Sequence, residues 1–215
     1  MNQHTNLDEQ TIIYTHYTQE YQAQKNAGLL IRIVKRFIHG PILDIGAADG
    51  SLIKILQKKG FANVKGIDIV PKSSIIETGD ITNIPYPDSS FQTIFCTEVI
   101  EHLDSAQIEK GLKEIQRVLK KDGCLIFTVP NREKRSTNAV VCPKCSHEFH
   151  RYGHVQYFDE ESVKSILTDY NILFQKIYAL GAMSVLPLGR YLNWLFKRLN
   201  YESVPKTLVI IVRVK

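Results

Sequence analysis

Pro41-Ile42-Leu43-Asp44-Ile45-Gly46-Ala47-Ala48-Asp49-Gly50-Ser51 reads as a buried strand, a turn of small residues and the start of a helix. Ile42, Leu43 and Ile45 form the apolar run, and Asp44 interrupts it near its end. Gly46, Ala47, Ala48 and Gly50 keep bulk out of the turn, which lets a ligand approach the backbone and directs helix N-terminal N–H groups toward it. An ordinary tight strand-to-helix connection uses the same residue types. A dinucleotide turn asks for Gly-x-Gly-x-x-Gly. Here the run is Gly46-x-x-x-Gly50, with Ala48 adding a Cβ where a pyrophosphate would need the closest approach. Asp44, two residues before Gly46, would repel phosphate and suits a cationic or amino-bearing ligand.

Outward from this turn the chain alternates. Asn26–Ile38 has helical spacing at Leu29, Leu30, Ile33, Val34 and Phe37, and a further helix is expected over Ile12–Tyr21. After the strand Ile42–Ile45 come a helix over Ser51–Lys59 closed by Gly60, a strand Val64–Asp68, a short strand or turn at Ile75–Glu77, and a strand Phe91–Cys96. A helix over Ala106–Leu119 follows, then a turn at Lys121-Asp122-Gly123 into the strand Cys124–Val129. Repeated strand–helix alternation implies a parallel sheet with helices on both faces. The pattern breaks after Pro130: residues 132–152 are polar and rich in Cys and His and read as an insertion. A helix over Asp159–Tyr170 precedes two late strands, Phe174–Ala179 and Thr207–Val214, which a helix around Arg190–Leu199 separates.

Asp68 ends the second strand, where an open α/β sheet binds ligands and a carboxylate accepts ribose hydroxyls. This also happens in dinucleotide enzymes, and a plain strand-end acid looks the same. Gly79-Asp80-Ile81 then precedes Ile84-Pro85-Tyr86-Pro87-Asp88-Ser89-Ser90-Phe91. Taken in order, Asp44/Gly46/Gly50, Asp68, Asp80 and the fourth strand resemble the class I S-adenosylmethionine-dependent methyltransferases over about Ile42 to Val129. Ala48 departs from that family's middle glycine, and Gln92 replaces its usual Asp after the Phe. The resemblance implies a Rossmann-like, doubly wound α/β fold, with a mostly parallel seven-stranded sheet and an antiparallel C-terminal strand. It implies cofactor contacts from Asp44, Gly46, Ala48, Gly50, Asp68, Asp80, Ile81 and Cys96, with Asp80 at the adenine amino group. It divides the chain into N-terminal helices covering the cofactor (1–40, with Tyr14, Tyr17 and Tyr21), a cofactor-binding core (41–130), the Cys/His insertion (131–158), and a C-terminal part of the same sheet with substrate-side elements (159–215).

Glu98, Glu101 and His102 fall at i, i+3 and i+4, so a helical turn would put them on one face. Two carboxylates and an imidazole can hold a divalent cation that lowers the pKa of a hydroxyl. In metal-free methyltransferases a Glu-His pair at this place lies near the substrate or caps a helix. The pattern resembles two metal-using subgroups, the ubiquinone-biosynthesis O-methyltransferases and the enzymes that 2′-O-methylate the 3′ end of small RNAs. The latter add a distant histidine, for which His154 is the candidate. Glu98, His102 and His154 are thus the candidate catalytic residues, as bases or as ligands beside one. A second metal reading lies in the insertion. Cys142-Pro143-Lys144-Cys145 is half of a zinc knuckle, and Cys142, Cys145, His150 and His154 would complete four ligands. A reduced, unliganded loop is the alternative.

The 215 residues suit one α/β domain with a decorated end, and 44% hydrophobic content is that of a folded globular chain. A net charge of +5 is compatible with an anionic substrate without demanding one. The start is polar, without an apolar signal region, and no long uncharged apolar stretch follows, so a cytoplasmic protein without a membrane span is expected. Cys96 and Cys124 sit in core strands and read mainly as packing residues. The reading favoured is S-adenosylmethionine-dependent O-methylation of a small-molecule acceptor. Metal-dependent ribose 2′-O-methylation of RNA stays open, disfavoured by the lack of an aromatic–basic platform, as does a non-catalytic cofactor-binding or scaffold module. The oligomeric state is not legible.

Overall fold

The computed structural model describes residues 22–169, 173–180 and 207–213. The expected helices at Ile12–Tyr21 and Arg190–Leu199, and the three tyrosines of the first, lie outside them. Helix α1 (Gln22–Val34) runs into a 3-10 turn at Lys35–Phe37. Then come β1 (Ile42–Ile45), α2 (Ser51–Lys58), β2 (Val64–Asp68), β3 (Glu77–Thr78), β4 (Phe91–Thr97), a 3-10 turn (Ile100–His102) and α3 (Ser105–Val118). The chain continues through β5 (Leu119–Pro130), β6 (Ala139–Val141), β7 (Glu148–His150), α4 (Glu160–Asp169), β8 (Leu173–Leu180) and β9 (Thr207–Arg213).

The main sheet has the order β3-β2-β1-β4-β5-β9-β8. Six of its strands have four residues or more, and β3 adds a two-residue edge. β1 pairs in parallel with both β2 and β4, while β9 runs antiparallel between β5 and β8. This is the mostly parallel, doubly wound sheet with an antiparallel C-terminal strand that the resemblance implies, and its parallel part is what the alternation of elements predicts. Side chains obey the two-residue period of strands. Leu43, Ile94, Leu125 and Ile210 face a core made with α3 and α4, through Ile108, Leu112, Ile115, Val163 and Leu167. Their neighbours Ile42, Phe95, Ile126 and Ile211 face α1 and α2, through Leu30, Ile31, Val34, Leu52 and Leu56. Both faces are covered, which is why these strands read as unbroken apolar runs.

Several boundaries differ from expectation for local reasons. α3 starts at Ser105 because Asp104 forms a capping box: Gln107 N–H donates to Asp104 Oδ1 and Asp104 N–H donates to the Gln107 side chain. Asp159 caps α4 by accepting the Ser162 N–H, as the sequence suggests. The expected turn at Lys121-Asp122-Gly123 is instead a bend inside β5, with Asp122 at φ 61 and a register shift opposite Phe91 and Thr93. The insertion is not structureless, for β6 and β7 pair as a small antiparallel hairpin. Arg117 fastens the proline-bearing loop onto α3: its guanidinium donates to the carbonyls of Ile84 and Tyr86 and to the carboxylates of Glu114 and Asp88.

Candidate functional site

The carboxyl ends of β1, β2 and β4 converge, as the crevice rule for open α/β sheets requires. Gly46, Ala48 and Gly50 all take positive φ, at 74°, 46° and 75°. Several N–H groups of this turn are taken up within the chain. Gly46 and Ala47 N–H donate to the Ile67 carbonyl, Gly50 N–H to the Ala47 carbonyl, and Ser51 N–H to Asp49 Oδ1. Ala48 N–H donates to Asp68 Oδ2 at 2.8 Å, and Val70 N–H to Asp68 Oδ1 at 2.8 Å. These N–H groups are spent on the chain's own acceptors, and beside them the turn presents carboxylates.

Asp44 is 1% exposed, and its Oδ1 is buried without a hydrogen-bond partner. Burial, reinforced by the charges of Asp68 and Asp49, raises its pKa well above the ordinary carboxylate range. Such an oxygen wants a donor or a cation. Asp68 is fixed by its two backbone donors and keeps lone pairs for a ligand. Asp80 accepts the Thr82 N–H in a tight turn, and Ile81 is buried against Gly111 of α3. Cys96 is 1% exposed among Leu43, Ile45 and Phe127, so its thiol packs the core, and any cofactor contact from it is one of proximity. An orphaned acid beside a second, pre-oriented acid fits a ligand carrying an ammonium and a ribose diol, which S-adenosylmethionine has.

Past β4, Glu98 takes a left-handed φ of 54 and lies outside the Ile100–His102 turn. The expected single helical face for Glu98, Glu101 and His102 is therefore broken. Glu98 turns back on β5: its N–H donates to the Thr128 carbonyl, and Thr128 Oγ1 donates to its Oε1 at 2.8 Å. Burial raises its pKa, against that hydrogen bond and the nearby His154. Glu101 is fully buried, and neither of its carboxylate oxygens has a hydrogen-bond partner. Burial, then the charge of Glu98, pushes its pKa well up. Ligand atoms of Glu101, His102 and His154 lie within 4.8 Å of one another, with the His102 and His154 rings 4.8 Å apart. His102 Nδ1 faces the Gly153 carbonyl at 3.3 Å, which makes Nδ1 the donor and leaves the lone pair on Nε2. Burial, then His154, lowers the His102 pKa to about 3, so this ring is neutral at neutral pH.

His154 arrives from the insertion. Val155 and Gln156 N–H both donate to the Glu101 carbonyl, at 2.9 and 3.0 Å, which pins that segment to the Glu101 turn. The distant histidine thus meets the Glu-His turn as the resemblance implies. The four-ligand zinc site does not form. Cys142 and Cys145 sit at the turn of the β6–β7 hairpin and Cys145 is exposed, whereas His150 is buried at the other end of β7, opposite Ala139. His150 and His154 cluster with Glu133, not with the thiols. Among the described residues the groups able to hold an ion are Glu101/His102/His154 and Glu133/His150/His154. Sequence reading missed Glu133: His154 Nδ1 lies 2.5 Å from its Oε2, and Asn138 Nδ2 donates to its Oε1 at 2.7 Å.

A family profile described as a methyltransferase domain matches residues 15–172. The ubiquinone biosynthesis O-methyltransferase of Neisseria meningitidis is 25% identical over 139 residues, 52% of this chain and 56% of that protein. The chain spans about half the length of the curated relatives it matches. A SAM-dependent methyltransferase from Archaeoglobus fulgidus superposes with a TM-score of 0.61 at 17% identity, over 89% of this chain and 94% of the other. The 1,6-didemethyltoxoflavin-N1-methyltransferase of Burkholderia thailandensis, with bound 1,6-didemethyltoxoflavin and S-adenosylhomocysteine, superposes with a TM-score of 0.64 at 12% identity, over 99% and 92%. At these identities the structural likeness is one of fold.

Proposed function

Since the chain belongs to the methyltransferase domain family, we propose that it is an S-adenosylmethionine-dependent methyltransferase acting on a hydroxyl of a small-molecule acceptor. When bound, S-adenosylmethionine supplies an electrophilic methyl group on its sulfonium. Asp44 Oδ1 would take the ligand's ammonium, and Asp68, held by the Ala48 and Val70 N–H groups, its ribose hydroxyls. Asp80 would take the adenine amino group. Anchoring at that many points orients the reacting groups, which is most of what such a transfer needs from a protein.

The preference for oxygen rests on one observation. Glu101 is a buried carboxylate with no hydrogen-bond partner, beside two imidazoles. One carboxylate and two imidazoles suit a first-row divalent cation. Held there by Glu101, His102 and His154, it would lower the pKa of a hydroxyl. Glu98, accepting from Thr128 Oγ1, lies near enough to Glu101 to act on it electrostatically. The likeness to a ubiquinone biosynthesis O-methyltransferase supports an oxygen acceptor of small size.

The test is calorimetric titration with S-adenosylmethionine, followed by turnover on a catechol and on an RNA 3′ end, each with Mn²⁺ and with chelator. Cofactor binding with cation-dependent methylation of the catechol is expected. Methylation of RNA alone would transfer the proposal to ribose, and cofactor binding with chelator-insensitive turnover would remove the cation. No cofactor binding would leave a scaffold module.

A further inference from the structure

Two triads share His154, and their hydrogen bonds show that they are not equivalent. In the triad Glu133/His150/His154, His150 Nδ1 accepts backbone N–H groups from His154 at 3.1 Å and from Tyr152 at 3.3 Å. A ring nitrogen that accepts carries no proton, so the proton of neutral His150 is on Nε2. That Nε2–H faces Glu133 Oε1 at 3.6 Å and has no other partner. His150 therefore offers no lone pair to an ion on that side. Glu133, in turn, has both oxygens engaged: Oε1 accepts from Asn138, and Oε2 accepts from His154 Nδ1. The second triad is a hydrogen-bonded support.

We infer that Glu133 is a positioning residue: it takes the Nδ1–H of His154, fixes that tautomer and ring orientation, and so directs the Nε2 lone pair to Glu101 and His102. The inference deepens the cation site of the proposed function and rests on that reading for its consequence, though not for its geometry. The same device holds His102, whose Nδ1–H is on the Gly153 carbonyl. A histidine ligand whose other N–H is held by a carboxylate or carbonyl is the usual arrangement at metal sites, and loss of that partner weakens metal binding about 10- to 100-fold. Asn138 keeps Glu133 itself in place from the hairpin, with the Arg151 N–H donating to the Asn138 carbonyl. The Cys/His insertion thus has a role that needs no zinc: it carries His154 together with the carboxylate that aims it.

The experiment compares the full chain with Glu133→Ala and Glu133→Gln by two readouts. Imidazole ¹⁵N correlation spectra without metal report the tautomer. His154 is expected as Nδ1–H in the wild type, as a mixture in Glu133→Ala, and largely restored in Glu133→Gln, whose amide oxygen still accepts. Mn²⁺ titration followed by electron paramagnetic resonance is expected to show affinity lowered about 10- to 100-fold in Glu133→Ala, with S-adenosylmethionine affinity unchanged. If wild-type protein binds no Mn²⁺ but shows the tautomer switch, the cation reading fails and the positioning role stands. An Nε2–H tautomer in the wild type, or the same tautomer in all three proteins, overturns the inference.

Discussion

Val99 Cγ2 occupies the space that a Cβ on Gly46 would need. The turn after β1 and the turn after β4 are therefore packed without room for one more carbon, and Gly46 also holds φ at 74°. Gly46→Ala should cost about 1–3 kcal/mol through strain and overpacking. Because the displaced residue adjoins Glu98, both the melting temperature and S-adenosylmethionine affinity should fall. An unchanged melting temperature would contradict the packing.

Asp44→Asn should separate binding from stability. The folded protein raises the Asp44 pKa, by burial first and then by Asp68 and Asp49. The folded state therefore holds that proton more tightly than the unfolded state, and this group's contribution falls as pH rises from about 4 through the raised value. An acid with a buried oxygen that has no hydrogen-bond partner destabilises the cofactor-free fold, so Asp44→Asn should melt no lower than the wild type while binding S-adenosylmethionine more weakly. Thermal melts and calorimetry at pH 7.5 check both halves, and unimpaired binding would remove Asp44 from the cofactor site.

His102 works in the opposite sense. Its pKa falls from about 6.5 when unfolded to about 3 in the fold, through burial and then His154. A depressed histidine contributes stability that is complete above the unfolded value and is lost as pH falls toward the folded one. Metal-free protein should therefore lose stability between about pH 6.5 and 3 from this ring, and His102→Gln should show a shallower slope across that window in denaturant melts. Parallel slopes would refute a neutral, buried His102.

The capping box of α3 directly follows the Glu101–His102 turn. Removing its side-chain acceptor in Asp104→Ala should destabilise the protein by about 1 kcal/mol, measurable by urea unfolding. A loss near zero would mean that the helix start is held by its packed face alone.

At the hairpin tip, Cys142→Ser combined with Cys145→Ser should leave both the fold and cation binding at Glu101, His102 and His154 unaltered. Cys145 is exposed, and His150 and His154 lie with Glu133. A loss of Mn²⁺ binding in this double variant would show that the thiols belong to the site after all.

The β1–turn–α2 unit was legible because its signals are local: an apolar run, small residues, and an acid at a fixed offset. Asp104 and Gln107, three residues apart ahead of the apolar face of α3, carry an equally local capping-box signal. The split between the cysteines and histidines of the insertion was not legible, because spacing says nothing about direction. Pairing of Val141 with Glu148 puts Cys142 and Cys145 in the turn, and β7 then carries the chain away from it at about 3.3 Å per residue. Glu133 is separated from His154 by 21 residues and from His150 by 17, so only the folded hairpin reveals their contact. Glu98 fell off its expected helical face because its backbone turned left-handed to reach Thr128, a pairing across 30 residues.

The two N–H groups of Val155 and Gln156 on the single carbonyl of Glu101 make residues 153–158 and the Glu101 turn one transplantable cassette. A chimera that exchanges the tip of the hairpin leaves this latch closed and should inherit the host's chemistry. One that exchanges residues 131–158 whole must import a segment that meets the same carbonyl. Loop grafting to change the acceptor therefore has a natural seam at the hairpin tip, remote from the latch.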